Sequence, residues 1–323
     1  MTQSDRRRYG AVALLMAAIL AVCIAVTGFT RVTEREDGRL RLVAASYPVY
    51  IAALNVADGI DGVQVVNLVP SQTGCLHDYQ LSPDNMITLS GADALLLNGA
   101  GAESFLDSAR EQFPDLVTID TSEGVSLLES LHVHGHDHDH DHNAGGEVSE
   151  EELVYYNEHI WTSPARYRQQ VENLRDGLAA LDPGHAEDYA ANAGAYLDQI
   201  DRVYRELQEA AGMLPTDACI TFHDSLAYLA EDLGLRPVAA LSIGEDAGVS
   251  ASDIRAAEQA AEQAGTVLLL YDSQYPQEYD YIAQSAADAR VLTLDTAAGG
   301  QDDKDAWLDA MRQNAQALRD AAA

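Results

Sequence analysis

The sequence predicts an α/β protein of two lobes, each with a central, mostly parallel sheet flanked by helices, joined by one long backbone helix. Three observations predict it. Short apolar runs of strand length alternate with helix-length stretches toward both ends of the chain, as crossover helices between parallel strands require. Between them, residues 185–213 place Tyr189, Ala193, Tyr196, Ile200, Val203 and Leu207 at helical spacing, on a helix of about 40 Å. Finally, 323 residues suffice for two cores.

Leu40–Ala45 reads as the first strand, and Tyr47-Pro48 as a break before a helix over Tyr50–Ala57. Val63–Val69 is a second strand. Ser82-Pro83-Asp84 starts a helix toward Ser90, Ala94–Leu97 is a short buried strand, and a helix spans Glu103–Gln112. A segment at Leu116–Ser126 precedes a His-rich loop at 132–146, and Tyr155–Trp161 follows it. Pro164, after Ser163, opens a helix that breaks at Asp182-Pro183-Gly184. Beyond the long helix come strand Ala218–Phe222, a helix to Leu233, strand Pro237–Leu241 and helix Ser252–Ala264. Strand Val267–Tyr271, a helix near Tyr279, strand Val291–Leu294 and a final helix to Ala322 complete the chain. The domains are then 1–30, a signal peptide or membrane anchor; 31–39, a linker; 40–184, the N-terminal lobe; 185–213, the connecting helix; and 214–323, the C-terminal lobe.

The first thirty residues stand outside the fold, because Arg6, Arg7 and Arg8 precede an apolar run from Ala11 to about Phe29. Leu20-Ala21-Val22-Cys23 resembles a lipoprotein cleavage box, so Cys23 is a candidate for lipidation. An uncleaved signal anchor also fits the length of the run. Either way the positive flank stays inside and the rest lies outside the cytoplasmic membrane. The formal charge is −33; three arginines against Asp5 give the first thirty residues +2, leaving −35 on the remainder. Such a chain is a poor partner for nucleic acid and a good attractor of cations. Of the remaining cysteines, Cys75 and Cys219 could pair in an oxidising compartment or persist as buried thiols.

Six of the ten histidines, His132, His134, His136, His138, His140 and His142, fall in the run LHVHGHDHDHDH. Interleaved with Asp137, Asp139 and Asp141, that run is too polar to bury and reads as an accessory metal-binding loop. Outside it lie His77, His159, His185 and His223. His77, His159 and His223 are expected at strand ends or in the turns after them, where open α/β sheets bind ligands; His185, at a helix start, has no role. Asp272, expected at the end of a second-lobe strand, is the preferred fourth ligand, with Glu278 and Asp224 as rivals. Three imidazoles and one carboxylate favour Zn2+ over Mn2+. Because ligand imidazoles must be neutral, affinity should fall as pH drops through about 6.5. No HExxH helix, GxSxG elbow or P-loop is present, and four protein ligands leave no position for an activated water.

The segments HDYQLSP, EHIWTSP and FHDSLAYLA, in that order and with a His-rich loop between the first two, resemble the solute-binding proteins of zinc ABC transporters. The resemblance covers the chain after Leu40. It implies metal held in the cleft between two lobes by His77 and His159 from the first, and His223 and an acidic residue from the second. It also implies a monomer that delivers Zn2+ to an ABC permease, outside the cytoplasmic membrane, and performs no catalysis. The sequence departs from the family pattern where the usual DPHIW becomes Asn157-Glu158-His159-Ile160-Trp161, and Asp272 matches the acidic position only loosely. The alternatives are a manganese or nickel carrier or an adhesin on the same scaffold, and a secreted zinc hydrolase with Glu158 as general base.

Overall fold

The structure of the protein, a computed structural model, describes residues 38–74, 76, 79–130, 155–241, 251–274 and 289–323. Arg41–Ala323 forms one compact unit. The N-terminal segment with Cys23, the His-rich loop, Glu278 and the helix expected near Tyr279 lie outside the described residues, as do Cys75 and His77.

The first half holds β1 (Leu40–Ala44), α1 (Tyr47–Val56), β2 (Val63–Asn67), α2 (Pro83–Ser90), β3 (Ala94–Leu97), α3 (Asp107–Gln112) and β4 (Val117–Asp120). Its sheet has the order β2-β1-β3-β4, and the β1–β3 and β3–β4 pairs are parallel. The inner β3 is apolar and buried throughout and the inner β1 buries its last three residues, Leu42–Ala44, as strands covered on both faces must, while the outer β2 and β4 keep polar, partly exposed positions. Ser82 begins α2 through a reciprocal capping box with Asn85, as its Ser-Pro-Asp sequence predicts. Two expectations are corrected. Pro48 does not break the chain: it sits in the first turn of α1, where no intrahelical N–H is needed, so the helix starts at Tyr47. The helix expected from Glu103 begins as a 3₁₀ turn over Ser104–Leu106.

After a 3₁₀ turn at Ile160–Thr162 come α4 (Pro164–Leu181) and α5 (Ala186–Ala211). Ser163 Oγ accepts the Arg166 N–H at the start of α4. Gly177, late in α4, lets the helix lie directly on β4, because a Cβ there would meet Ile119 Cγ2 at 2.6 Å. The 26 residues of α5 span about 39 Å and bury the predicted stripe of Tyr189, Ala193, Tyr196, Ile200, Val203 and Leu207.

The second half repeats the first in topology though not in sequence. It comprises β5 (Ala218–Thr221), α6 (Ala227–Asp232), β6 (Arg236–Ala240), α7 (Ala251–Ala264), β7 (Val267–Asp272), β8 (Ala289–Leu294) and α8 (Ala306–Ala322). The order is β6-β5-β7-β8, all pairs parallel, with every residue of β7 buried. Pro237 is tolerated because β6 is an edge strand.

Helix α5 packs against α1, α4 and α8, so it runs behind elements of both halves. The seam between the halves is tied as well as packed. Trp307 of α8 stacks on Tyr167 of α4 at 4.3 Å between ring centroids, and its Nε1 donates to the Trp161 carbonyl at 3.0 Å. Trp161 Nε1 in turn donates to the Thr296 carbonyl at 2.9 Å. Tyr47 Oη donates to the Gln301 carbonyl and Asn55 Nδ2 to the Lys304 carbonyl, at 2.6 and 2.7 Å. At this seam backbone touches backbone: Gly300 N donates to the Ser71 carbonyl at 2.8 Å, and a Cβ on Gly299 would stand 2.7 Å from that same oxygen.

Candidate metal centre

In both sheets the strand order reverses between the two inner strands, and the space beyond the carboxyl ends of those strands is where an open α/β sheet receives its ligand. In the second sheet these strands are β5 and β7. Thr221 pairs with Leu270, so two residues further on His223 and Asp272 stand at the same level on neighbouring strands, which run about 4.8 Å apart. Asp272 is the last residue of β7 and is 6 % exposed. Ser225 joins the two. Its N–H donates to His223 Nδ1 and its hydroxyl to Asp272 Oδ2, both at 3.0 Å. The Gln274 N–H, at 2.9 Å, and the Thr296 hydroxyl, at 3.4 Å, serve Asp272 Oδ1. Burial holds the Asp272 carboxyl above the ordinary carboxylate range, against the pull of these donors. An arriving cation would reverse that by favouring the carboxylate.

His159 comes to the same place by a different route. It does not follow a strand of the sheet, which corrects the expectation from sequence. Residues 155–159 form an irregular segment joined to the chain before the His-rich loop by one antiparallel bridge, Glu129 with Tyr156. What fixes it is side-chain chemistry. Asn157 Oδ1 accepts the His159 backbone N–H and faces His159 Nδ1, each at 2.9 Å, while Asn157 Nδ2 donates to the Asp224 carbonyl at 2.8 Å. A backbone N–H only donates and a carbonyl only accepts, so this amide can point only one way. Its oxygen therefore requires a proton on His159 Nδ1, and the neutral ring carries its lone pair on Nε2, as a metal ligand must. His223 differs: its Nδ1 accepts from Ser225, which puts the neutral ring's proton on Nε2. Ligation there displaces that hydrogen bond or that proton.

The rings of His159 and His223 meet edge to face, with centroids 5.2 Å apart. The structure thus brings together two of the predicted ligands, and ties Asp272 to His223 through Ser225. Among the described residues no three His, Cys, Asp or Glu side chains are gathered closely enough to hold a metal ion. His77 is outside that set, but its neighbour Leu76 lines a cleft beside the site with Tyr47, Glu158, Trp161 and Ala298. Asp224, a rival ligand, is buried and engaged: its Oδ2 accepts from Ser130 at 2.9 Å. Cys219 is a free, fully buried thiol whose pKa burial pushes up to about 12. Four residues before His223 along β5, it is about 13 Å away and supplies no ligand.

Sequence reasoning missed Asn157 and Ser225. Each lies two residues from a candidate histidine, the reach of a local side-chain turn, and Asn157 also opens the segment that departs from the family's DPHIW. A buried carboxylate stands behind them. Glu103 accepts the backbone N–H groups of Asn98 and Gly99 at 2.7 and 3.1 Å, and Asn98 Nδ2 holds the Glu158 carbonyl at 2.9 Å, one residue before His159.

Residues 42–321 match the family model ZnuA, zinc-uptake complex component A, periplasmic. The chain is 24% identical over 324 residues to the high-affinity zinc uptake system protein ZnuA of Bacillus subtilis, covering 97% of this chain and 98% of that one. It is 26% identical over 294 residues to the zinc-binding lipoprotein AdcA of Streptococcus pneumoniae, covering 90% of this chain but 54% of AdcA, so it spans about half of that longer protein. A crystal structure of ZnuA superposes with a TM-score of 0.68 at 24% identity, over 88% of this chain and 100% of that one, which shows the shared fold. With the family match running through nearly all of the folded chain, this protein belongs to the ZnuA family of periplasmic zinc-uptake components.

Proposed function

We propose that this chain captures Zn2+ outside the cytoplasmic membrane and hands it to an ABC permease, with His77, His159, His223 and Asp272 as ligands. The observation that carries the reading is the edge-to-face contact of His159 and His223, one from the segment after the His-rich loop and one from the end of β5, beside a buried carboxylate. Imidazole-rich ligation favours zinc over manganese. The ion is the cargo, so the chain has to bind it and let it go, with no bond of a substrate to break. The loop histidines His132, His134, His136, His138, His140 and His142 serve as a weaker, exposed collector. The N-terminal segment, through Cys23 or as an uncleaved anchor, keeps a monomeric chain at the outer face of the membrane.

Competition titration with a chromophoric zinc chelator tests the ligand set. His159→Ala and His223→Ala should each weaken the tight site at least 100-fold, and deletion of residues 133–142 should remove only weak stoichiometry. A tight site that survives His159→Ala, or that disappears with the loop, would overturn the assignment.

A further inference from the structure

Resting on the zinc-site reading, we infer that Asn157 is the positioning residue of the metal centre. It fixes the proton of His159 on Nδ1 and spans from that histidine to the backbone next to His223.

The side chain is 1 % exposed, and each end of its amide is committed. Oδ1 takes two donors from one residue, the His159 backbone and ring, so it sets both the ring's rotation and its tautomer. Nδ2 reaches Asp224 O, 67 residues away and immediately after His223. The backbone of Asn157 is held from the same direction, because Tyr228 Oη donates to its carbonyl at 2.6 Å. Tyr228 is seated in turn by the Arg166 guanidinium, 4.5 Å from its ring centroid. One amide thus bonds His159 directly and His223 through a single peptide unit. A carboxylate at this position would still accept from His159 but would set an oxygen against the Asp224 carbonyl, so an amide alone satisfies both sides. Orienting groups of this kind, which fix the tautomer of a metal-binding histidine, typically contribute 10–100-fold to affinity.

Two measurements on the full chain decide it. The first is the imidazole nitrogen NMR signature of His159 in metal-free protein at neutral pH. The second is the zinc dissociation constant by chelator competition. The wild type should show His159 with Nδ1 protonated and Nε2 unprotonated. Asn157→Ala should give a mixture of tautomers and weaken zinc about 10–100-fold. Asn157→Asp, nearly the same shape, should keep the Nδ1–H signature and still lose affinity, because only the bond to Asp224 is broken. Unchanged tautomer and affinity in Asn157→Ala, or loss of the Nδ1–H signature in Asn157→Asp, would overturn the inference. His159→Ala is the control for the underlying reading: if it leaves zinc affinity intact the ligand assignment has failed, whereas the tautomer readout still judges Asn157 by itself.

Discussion

Replacing Glu103 by Gln should change how the stability of this protein depends on pH. The Glu103 carboxyl is buried against Asn98 and Gly99, and burial pushes its pKa from an ordinary 4.5 up to about 8, against the pull of the two backbone N–H donors. A carboxyl whose folded pKa is raised keeps its proton in the native state at pH values where the unfolded chain has lost it. Stability from this group is therefore full below pH 4.5 and falls as pH rises toward 8. At about 1.4 kcal/mol per pH unit, the loss between pH 5 and pH 8 is on the order of 4 kcal/mol. Glutamine cannot ionise, but its amide nitrogen must face one backbone donor, at a cost of about 1–3 kcal/mol at every pH. Denaturant unfolding followed by tryptophan fluorescence, in chelator at pH 5, 6, 7 and 8, should show Glu103→Gln less stable than wild type at pH 5 and gaining on it steadily toward pH 8. Parallel profiles would refute the reasoning, because they would mean that the two backbone donors outweigh burial and keep the carboxylate ionised throughout.

Two further outcomes follow from the packing. Gly299→Ala should cost about 1–3 kcal/mol, since the new Cβ would meet the Ser71 carbonyl at 2.7 Å and neither backbone can yield without losing the Gly300–Ser71 hydrogen bond; thermal unfolding monitored by circular dichroism reads it, and an unchanged midpoint would count against a close-packed seam. Cys219, fully buried with its pKa pushed up to about 12, should resist alkylation in the native protein at pH 8 and react fully in denaturant; peptide mass spectrometry reports the site, and rapid native labelling would contradict its burial.

What the sequence made legible is what physical chemistry writes locally. The Ser-Pro starts of α2 and α4 are capping chemistry within four residues. The apolar stripe of α5 and the unbroken run of β7 are burial patterns within one element, so helical spacing placed the first and the length of the apolar run the second. Pro48 misled because the same missing N–H that ends a helix is harmless in its first turn. His159 was found as a candidate, but its setting was not legible, since a single bridge and a few long-range side-chain hydrogen bonds hold the segment without any periodic signal. Asn157 and Ser225 escaped for the same reason: their importance lies in bonds to Asp224 and Asp272, 67 and 47 residues away.

Those long-range bonds also bear on how the ion leaves. Swinging the two halves apart would break the hydrogen bonds from Tyr47 to Gln301, Asn55 to Lys304, Trp161 to Thr296 and Trp307 to Trp161. At about 1 kcal/mol each they sum to about 4 kcal/mol, before the cost of exposing the stacked Trp307. If His223 binds the ion as proposed and gives up its bond from Ser225 to do so, its release would restore the hydrogen bond that Ser225 N–H makes to Nδ1 in this structure. The proposed ligand would thus have an alternative partner 3.0 Å away. If His223 and His159 hold the ion as proposed, the cheaper path for unloading would run through His223 turning back onto Ser225, with His159 still held by Asn157, rather than through opening the seam packed against the long helix α5.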